Sequence, residues 1–176
     1  MEEKKKKILI LGLDNCGKTS LIFSLMGKNL LSLLNELTPT KGMEIRKITL
    51  NKDTYIILDF GGQEAYRNNH LKNLDQHLQG ANKIMYLIDV QDVERYELAL
   101  NYLKNIIQII ENEDVSSKFS ILLHKYDPQL EIDKKNIGEE IKKLIEDIQE
   151  LMPSNFGYTI QKSTIFTVFQ NTTIFQ

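Results

Sequence analysis

The stretch Gly12-Leu13-Asp14-Asn15-Cys16-Gly17-Lys18-Thr19-Ser20 follows the apolar run Ile8-Leu9-Ile10-Leu11 without a break. Two glycines, a lysine and two hydroxyls thus stand between a strand that reads as buried and a segment of helical period. The spacing Gly-x-x-x-x-Gly-Lys-Thr, with strand before and helix after, is that of a phosphate-binding loop. The glycines let the backbone curl so that successive N–H groups, those of Asp14 through Ser20, face phosphate oxygens. The helix beginning near Lys18 adds the positive end of its dipole. Lys18 supplies a cation for β- and γ-phosphates, and the Thr19 hydroxyl a ligand for Mg²⁺. A glycine turn with an incidental lysine is the bland alternative, and the strand-loop-helix context argues against it.

Outward from this loop, short apolar runs alternate with longer segments of helical period. Lys6–Leu11 reads as a strand buried on both faces, as in a parallel sheet. Lys18–Leu34 reads as a helix. Glu44–Leu50 and Thr54–Leu58 flank Asn51-Lys52-Asp53 as a hairpin. Ile84–Ile88 is a further strand, Val93–Ile110 a helix and Ile121–Leu123 another strand. Over Ile137–Met152, Ile137, Ile141, Leu144, Ile145, Ile148, Leu151 and Met152 form one helical stripe, and Pro153 stops it. Tyr158–Gln161 reads as the last strand. Phe166–Gln176 reads as a short closing helix, although Thr, Val and Ile favour helix poorly. The order predicts an α/β fold in one domain over 1–176. Its sheet is mostly parallel and six-stranded, with one antiparallel edge strand, flanked by helices. Ligands of such sheets sit beyond the carboxyl ends of the strands.

The bulk numbers narrow the class. At 176 residues and 41% hydrophobic content the chain can bury a substantial core. A net charge of −2 argues against nucleic acid as a partner. The run Lys4-Lys5-Lys6-Lys7 reads as a solvated lead-in to the first strand rather than a membrane patch. The single cysteine, Cys16, excludes an internal disulfide, and a reducing cytoplasm is the expected location. Position 2 is Glu and the chain ends Thr-Ile-Phe-Gln, so no lipid anchor is expected in this chain.

Two further stretches decide which triphosphate. Ile57-Leu58-Asp59-Phe60-Gly61-Gly62-Gln63-Glu64 places an acid at a strand end, then two glycines, then a glutamine. Asp59 can hold a water on Mg²⁺, the Gly62 N–H can meet a γ-phosphate and Gln63 can orient an attacking water. His124-Lys125-Tyr126-Asp127 follows the strand Ile121–Leu123. A carboxylate there can accept hydrogen bonds from guanine N1–H and its 2-amino group. Adenine has no such donor pair and would leave Asp127 desolvated and unpaired.

With these stretches the chain resembles the small GTPases of the Ras superfamily over nearly its whole length. Its phosphate loop looks like that of the Arf branch, and Pro39-Thr40-Lys41-Gly42 is similar to the Arf switch I. That likeness puts Thr40 at the magnesium-binding threonine. Asp59-Phe-Gly-Gly-Gln63 fits both Arf and Rag GTPases. His124-Lys125-Tyr126-Asp127, Asp89-Val90 and Ser163-Thr164-Ile165 look Rag-like, and the mixture suggests an early-branching or archaeal member. The resemblance implies a P-loop GTPase domain that binds GTP and GDP with Mg²⁺, and implies that Thr164 and Ile165 lie against the guanine. His124 stands where the family has an asparagine that ties the base loop to the phosphate loop. A packing histidine is the alternative reading.

The implied activity is slow GTP hydrolysis, with Gln63 positioning water and Lys18 stabilising the transferring phosphoryl group. Leu37, Thr38 and Pro39 precede Thr40, so no arginine stands ready there, and an activating partner is expected to supply one. Segments 35–42 and 60–72 would order with GTP and relax with GDP, contacting an exchange factor and effectors. Ala65, Tyr66, Arg67 and Leu71 form one such surface, unless Tyr66 and Leu71 simply pack on the neighbouring helix. Two alternatives remain at this point: a guanine-nucleotide-binding module without turnover, and a P-loop ATPase or kinase.

Overall fold

In the computed structural model, residues 4–27, 38–50, 52–113 and 116–165 are described. The most apolar run forms the spine of the sheet. Strand β1 (Lys5–Gly12) runs parallel between β3 (Asp53–Phe60) and β4 (Ala81–Asp89). Leu9, Ile10 and Leu11 are each 0% exposed, as the unbroken apolar pattern predicts for a central parallel strand. Strand β5 (Lys118–His124) pairs with β4, and β6 (Tyr158–Lys162) with β5, both parallel. Strand β2 (Met43–Leu50) is antiparallel to β3 on the outer edge, giving the order β2-β3-β1-β4-β5-β6. The expected six-stranded sheet with one antiparallel edge strand is what the chain forms.

Successive residues of a strand face opposite sides, so the sheet has two cores. Leu9, Leu11 and Leu58 point into the larger one, with Leu103, Ile106 and Ile110 of α4 (Tyr96–Asn112) and Ile141, Leu144 and Ile148 of α6 (Ile137–Leu151). Ile10 and Ile57 point into the smaller one, against Ile22 of α1 (Lys18–Leu25). The stripe on α6 is buried as its period predicts, and the helix stops before Pro153.

The strands extend one to three residues past their expected ends, and Val93–Arg95 forms a 3₁₀ turn ahead of α4. Two short helices, α2 (Glu64–Lys72) and α3 (Leu74–Leu78), follow β3, where the sequence pattern marks no element. A third short helix, α5 (Leu130–Asp133), precedes α6. The second half of the helix expected over Lys18–Leu34 and the closing helix expected over Phe166–Gln176 lie outside the described residues.

Candidate nucleotide-binding site

The carboxyl ends of β1, β3, β4 and β5 converge where Gly12, Phe60, Asp89 and His124 close their strands. The loop after β1 turns through two backbones with positive φ, at Asn15 (60°) and Gly17 (92°), before α1 begins at Lys18. Gly17 is required twice over. Its φ suits glycine, and a Cβ there would stand 2.7 Å from Cδ2 of His124. Lys18, almost fully buried, reaches back over the loop, donating to the carbonyls of Leu13 (2.6 Å) and Gly12 (3.1 Å). Cys16 is buried beside it, its sulfur 3.7 Å from Nζ, and burial pushes the thiol pKa up. A cleft of about 470 Å³ opens over this loop, lined among others by Asp14, Asn15, Gly17, Lys18, Thr19 and Ser20.

Across the cleft stand Thr40, Gly62 and Gln63. The two segments that carry them are joined, because the Gly61 N–H donates to the Gly42 carbonyl (2.7 Å) and Met43 pairs with Phe60 in the β2–β3 register. Gly62 lies directly on the phosphate loop: a Cβ there would come within 2.1 Å of the Asp14 nitrogen. The Thr19 hydroxyl donates to Asp59 Oδ2 (2.6 Å) and sits 3.0 Å from the Thr40 hydroxyl, which is 3.4 Å from the same carboxylate oxygen. Asp59 is fully buried and its Oδ1 has no hydrogen-bond partner. Burial raises its pKa, with the Thr19 hydrogen bond and the Lys18 charge acting the other way. Three hard oxygens with one orphaned buried carboxylate atom form a donor set that suits Mg²⁺.

Three carbonyl and carboxylate acceptors near the loop hold arginines. Arg95 donates to Asp14 Oδ1 and to the Asp14 carbonyl, both at 3.1 Å. Arg67 is buried and donates to the Gly62 carbonyl (2.8 Å), with Asp14 at 3.9 Å and its guanidinium over the Tyr102 ring. Arg67 is therefore not part of an exposed footprint; Leu71 likewise packs on the core, while Ala65 stays exposed.

The second candidate stretch follows β5. His124 is 0% exposed; its Nδ1 is 2.9 Å from the Ser163 hydroxyl, and its Nε2 has no hydrogen-bond partner. Its ring edge lies on the Gly17 backbone. The histidine thus joins the loop after β5 to the loop after β1, by packing rather than by a hydrogen bond, and burial depresses its pKa. Lys125, at φ 60°, forms an ion pair with the buried Asp89 (2.6 Å). Thr164 Oγ1 donates to Asp127 Oδ1 at 2.6 Å, and Ile165 follows, half-buried. Two residues absent from the sequence reading also enter: Arg95, above, and Gln91, whose side chain reaches Asp127. No spacing motif marks either one.

A parallel sheet carrying this loop, the Asp59-to-Gln63 turn and the Asp127 loop at one end defines a P-loop guanine-nucleotide-binding domain. The model of the ADP-ribosylation factor family matches residues 1–168, and the chain belongs to that family. It is 29% identical over 145 residues to the ADP-ribosylation factor-like protein alp41 of Schizosaccharomyces pombe, covering 82% of this chain and 70% of that one. It is 30% identical over 138 residues to ADP-ribosylation factor-like protein 2 of Arabidopsis thaliana, covering 78% and 69%. The small GTPase Arl6 of Trypanosoma brucei superposes with a TM-score of 0.69 at 18% identity, over 92% of this chain and 87% of that structure. The protein is thus a small GTPase of Arf type: a GTP-binding molecular switch that hydrolyses GTP.

Proposed function

We propose the following division of labour within that activity. Lys18 and the N–H groups of residues 14–20 hold the β- and γ-phosphates. Thr19, Thr40 and, through water, Asp59 hold Mg²⁺, which when bound neutralises phosphate charge. Asp127 reads the guanine, with Lys125, Thr164 and Ile165 around the base and His124 behind it. Gln63 orients the water that attacks the γ-phosphate in line, and the Gly62 N–H meets the same phosphoryl group. The observation that carries this reading is the cluster of Thr19, Thr40 and Asp59 oxygens around one unpartnered, buried carboxylate atom, placed on the phosphate loop. The nucleotide analogue GppNp bound to the Arl6 structure supports the same use of the cleft.

The switch follows from the Gly42–Gly61 bond. Thr40 and Gly62 both contact the γ-phosphate end only in the triphosphate state, so losing that phosphate loosens two segments that move as one. Turnover by the chain alone is slow. Its three arginines are all engaged: Arg46 with Glu44, Arg67 with Gly62, and Arg95 with Asp14 and Asp92. An activating protein then contributes the missing arginine, worth about 10³–10⁵ in rate. An exchange factor and effectors use the same two segments, and the location is cytoplasmic.

Competition binding and single-turnover assays test this together. GTP should displace a fluorescent GDP at far lower concentration than ATP, and hydrolysis without a partner should be slow. Equal binding of ATP overturns the guanine assignment, and fast unaided hydrolysis overturns the need for an activator.

A further inference from the structure

The end of β4 lies beside the base loop because Asp89 pairs in register with His124 and the Val90 N–H donates to the His124 carbonyl (3.0 Å). The next residue, Gln91, bridges what remains. Its N–H donates to Asp89 Oδ1 (2.9 Å), while its side-chain Nε2 donates to the Lys125 carbonyl (2.9 Å) and to Asp127 Oδ2 (2.8 Å). Thr164 holds the other oxygen, Oδ1, of the same carboxylate. Asp127 is therefore gripped at both oxygens by donors from two separate segments.

A carboxylate held by one donor can still turn about its terminal torsion, which is broad and roughly two-fold. Held by two, it has one plane. Each oxygen accepts about two hydrogen bonds, so Gln91 and Thr164 leave one acceptor position on each for a pair of donors on a base. We propose that Gln91 is a positioning residue for base recognition: it fixes the plane of Asp127 so that both oxygens meet the N1–H and 2-amino donors of guanine together. The inference rests on the reading of Asp127 as the guanine acceptor. Its chemistry needs a neutral donor at position 91. The groups around that donor are Asp89, Asp127 and Lys125, with Lys134 on the Gln91 carbonyl (3.4 Å). A second carboxylate there would face Asp127 across a hydrogen-bond distance, and both could be ionised together only at a cost.

The test uses the full chain with Mg²⁺ and three variants: Gln91→Met, of similar length without the donor, Gln91→Glu, and Asp127→Asn. The readouts are the release rate of fluorescent GDP and the ratio of GDP to IDP affinity, inosine lacking the 2-amino group. Because a ratio is measured, any loss of folded protein cancels. Gln91→Met should speed GDP release about tenfold, the loss expected for a hydrogen bond to a charged group, and should lower the GDP-to-IDP ratio. Gln91→Glu should release GDP faster as pH rises from about 5.5 to 8, relative to wild type, because one of two facing carboxylates must give up its shared proton. Asp127→Asn should turn preference from GDP toward XDP. If that turn occurs while both Gln91 variants match wild type, the Gln91 inference alone is overturned. If Asp127→Asn shows no turn toward XDP, the reading of Asp127 fails and the inference goes with it.

Discussion

At the scale of the residue, His124 and Gly17 show how a substitution within a motif is accommodated. An asparagine can bond across to the phosphate loop; a histidine is too large for the same geometry unless the facing residue has no side chain. Gly17 provides that room, since its missing Cβ would fall 2.7 Å from the ring. The buried ring is disfavoured as a cation, so its pKa lies below the ordinary 6.5, as do those of His70 and His77 through burial. With the folded pKa depressed, this contribution to stability is complete above pH 6.5 and is lost as pH falls through the folded value. Urea denaturation should therefore show lower stability near pH 5.5 than at 7.5, with a shallower slope in His124→Asn. At pH 7.5 His124→Ala should cost about 2–4 kcal/mol, from the cavity and the orphaned Ser163 hydroxyl, and His124→Asn less. A cost of His124→Ala within about 0.5 kcal/mol, as at a surface site, would contradict the packing role.

At the scale of the element, what the sequence discloses depends on what each element buries. Strand β1 and helix α6 bury aliphatic side chains at the period of their backbone, and both are legible from the pattern alone. Helix α2 is not, because its buried residues are Arg67 and His70, whose polarity conceals a buried face from any count of apolar residues. Polar burial there needs partners that the sequence does not display: the Gly62 carbonyl for Arg67, and the Phe60 ring, edge-on at 5.0 Å, for His70. Arg67 thereby ties the start of α2 to the glycine that lies on the phosphate loop. Arg67→Ala should lower stability by about 1–3 kcal/mol, the range for a buried charged hydrogen bond. It should also slow single-turnover hydrolysis, because Gln63 lies between the two tied points. If Arg67→Ala lowers stability while leaving hydrolysis at the wild-type rate, Arg67 anchors the helix only. Arg67→Lys, which keeps the charge but not the planar fork, should recover part of the stability.

At the scale of the whole molecule, the site is assembled from strand ends that are distant in sequence. Thr19 and Asp59 are legible as candidates because triphosphate chemistry restricts which residues can stand at those spacings, Asp127 because guanine offers a donor pair, and Thr40 only through the likeness to the Arf switch I. The Gln91–Asp127 and Arg95–Asp14 contacts span 36 and 81 residues and obey no such restriction, so only the folded sheet discloses them. One consequence belongs to the assembly as a whole. The fold places a carboxylate, Asp59, where burial outweighs what the Thr19 hydrogen bond and the Lys18 charge give its ionised form: it is buried, its Oδ1 is unpartnered and its pKa is raised. Because its folded pKa is raised, the contribution of this one group to stability is fully present below the unfolded carboxylate value near 3.9 and is lost as pH rises through the folded value. Ionising Asp59 thus costs the ligand-free fold stability, and on the proposed role of Asp59 the cation bound with nucleotide offsets that cost. Asp59→Asn should then change the thermal midpoint in opposite directions under two conditions. Stripped of nucleotide and in EDTA, the variant should melt above wild type, because no buried charge remains. With Mg²⁺ and GDP at about 100 times the dissociation constant, wild type should gain about 2.7 kcal/mol from binding. The variant should gain much less of it. A variant that melts below wild type in EDTA, or that keeps the full response to Mg²⁺, would show that Asp59 serves the sheet rather than the cation.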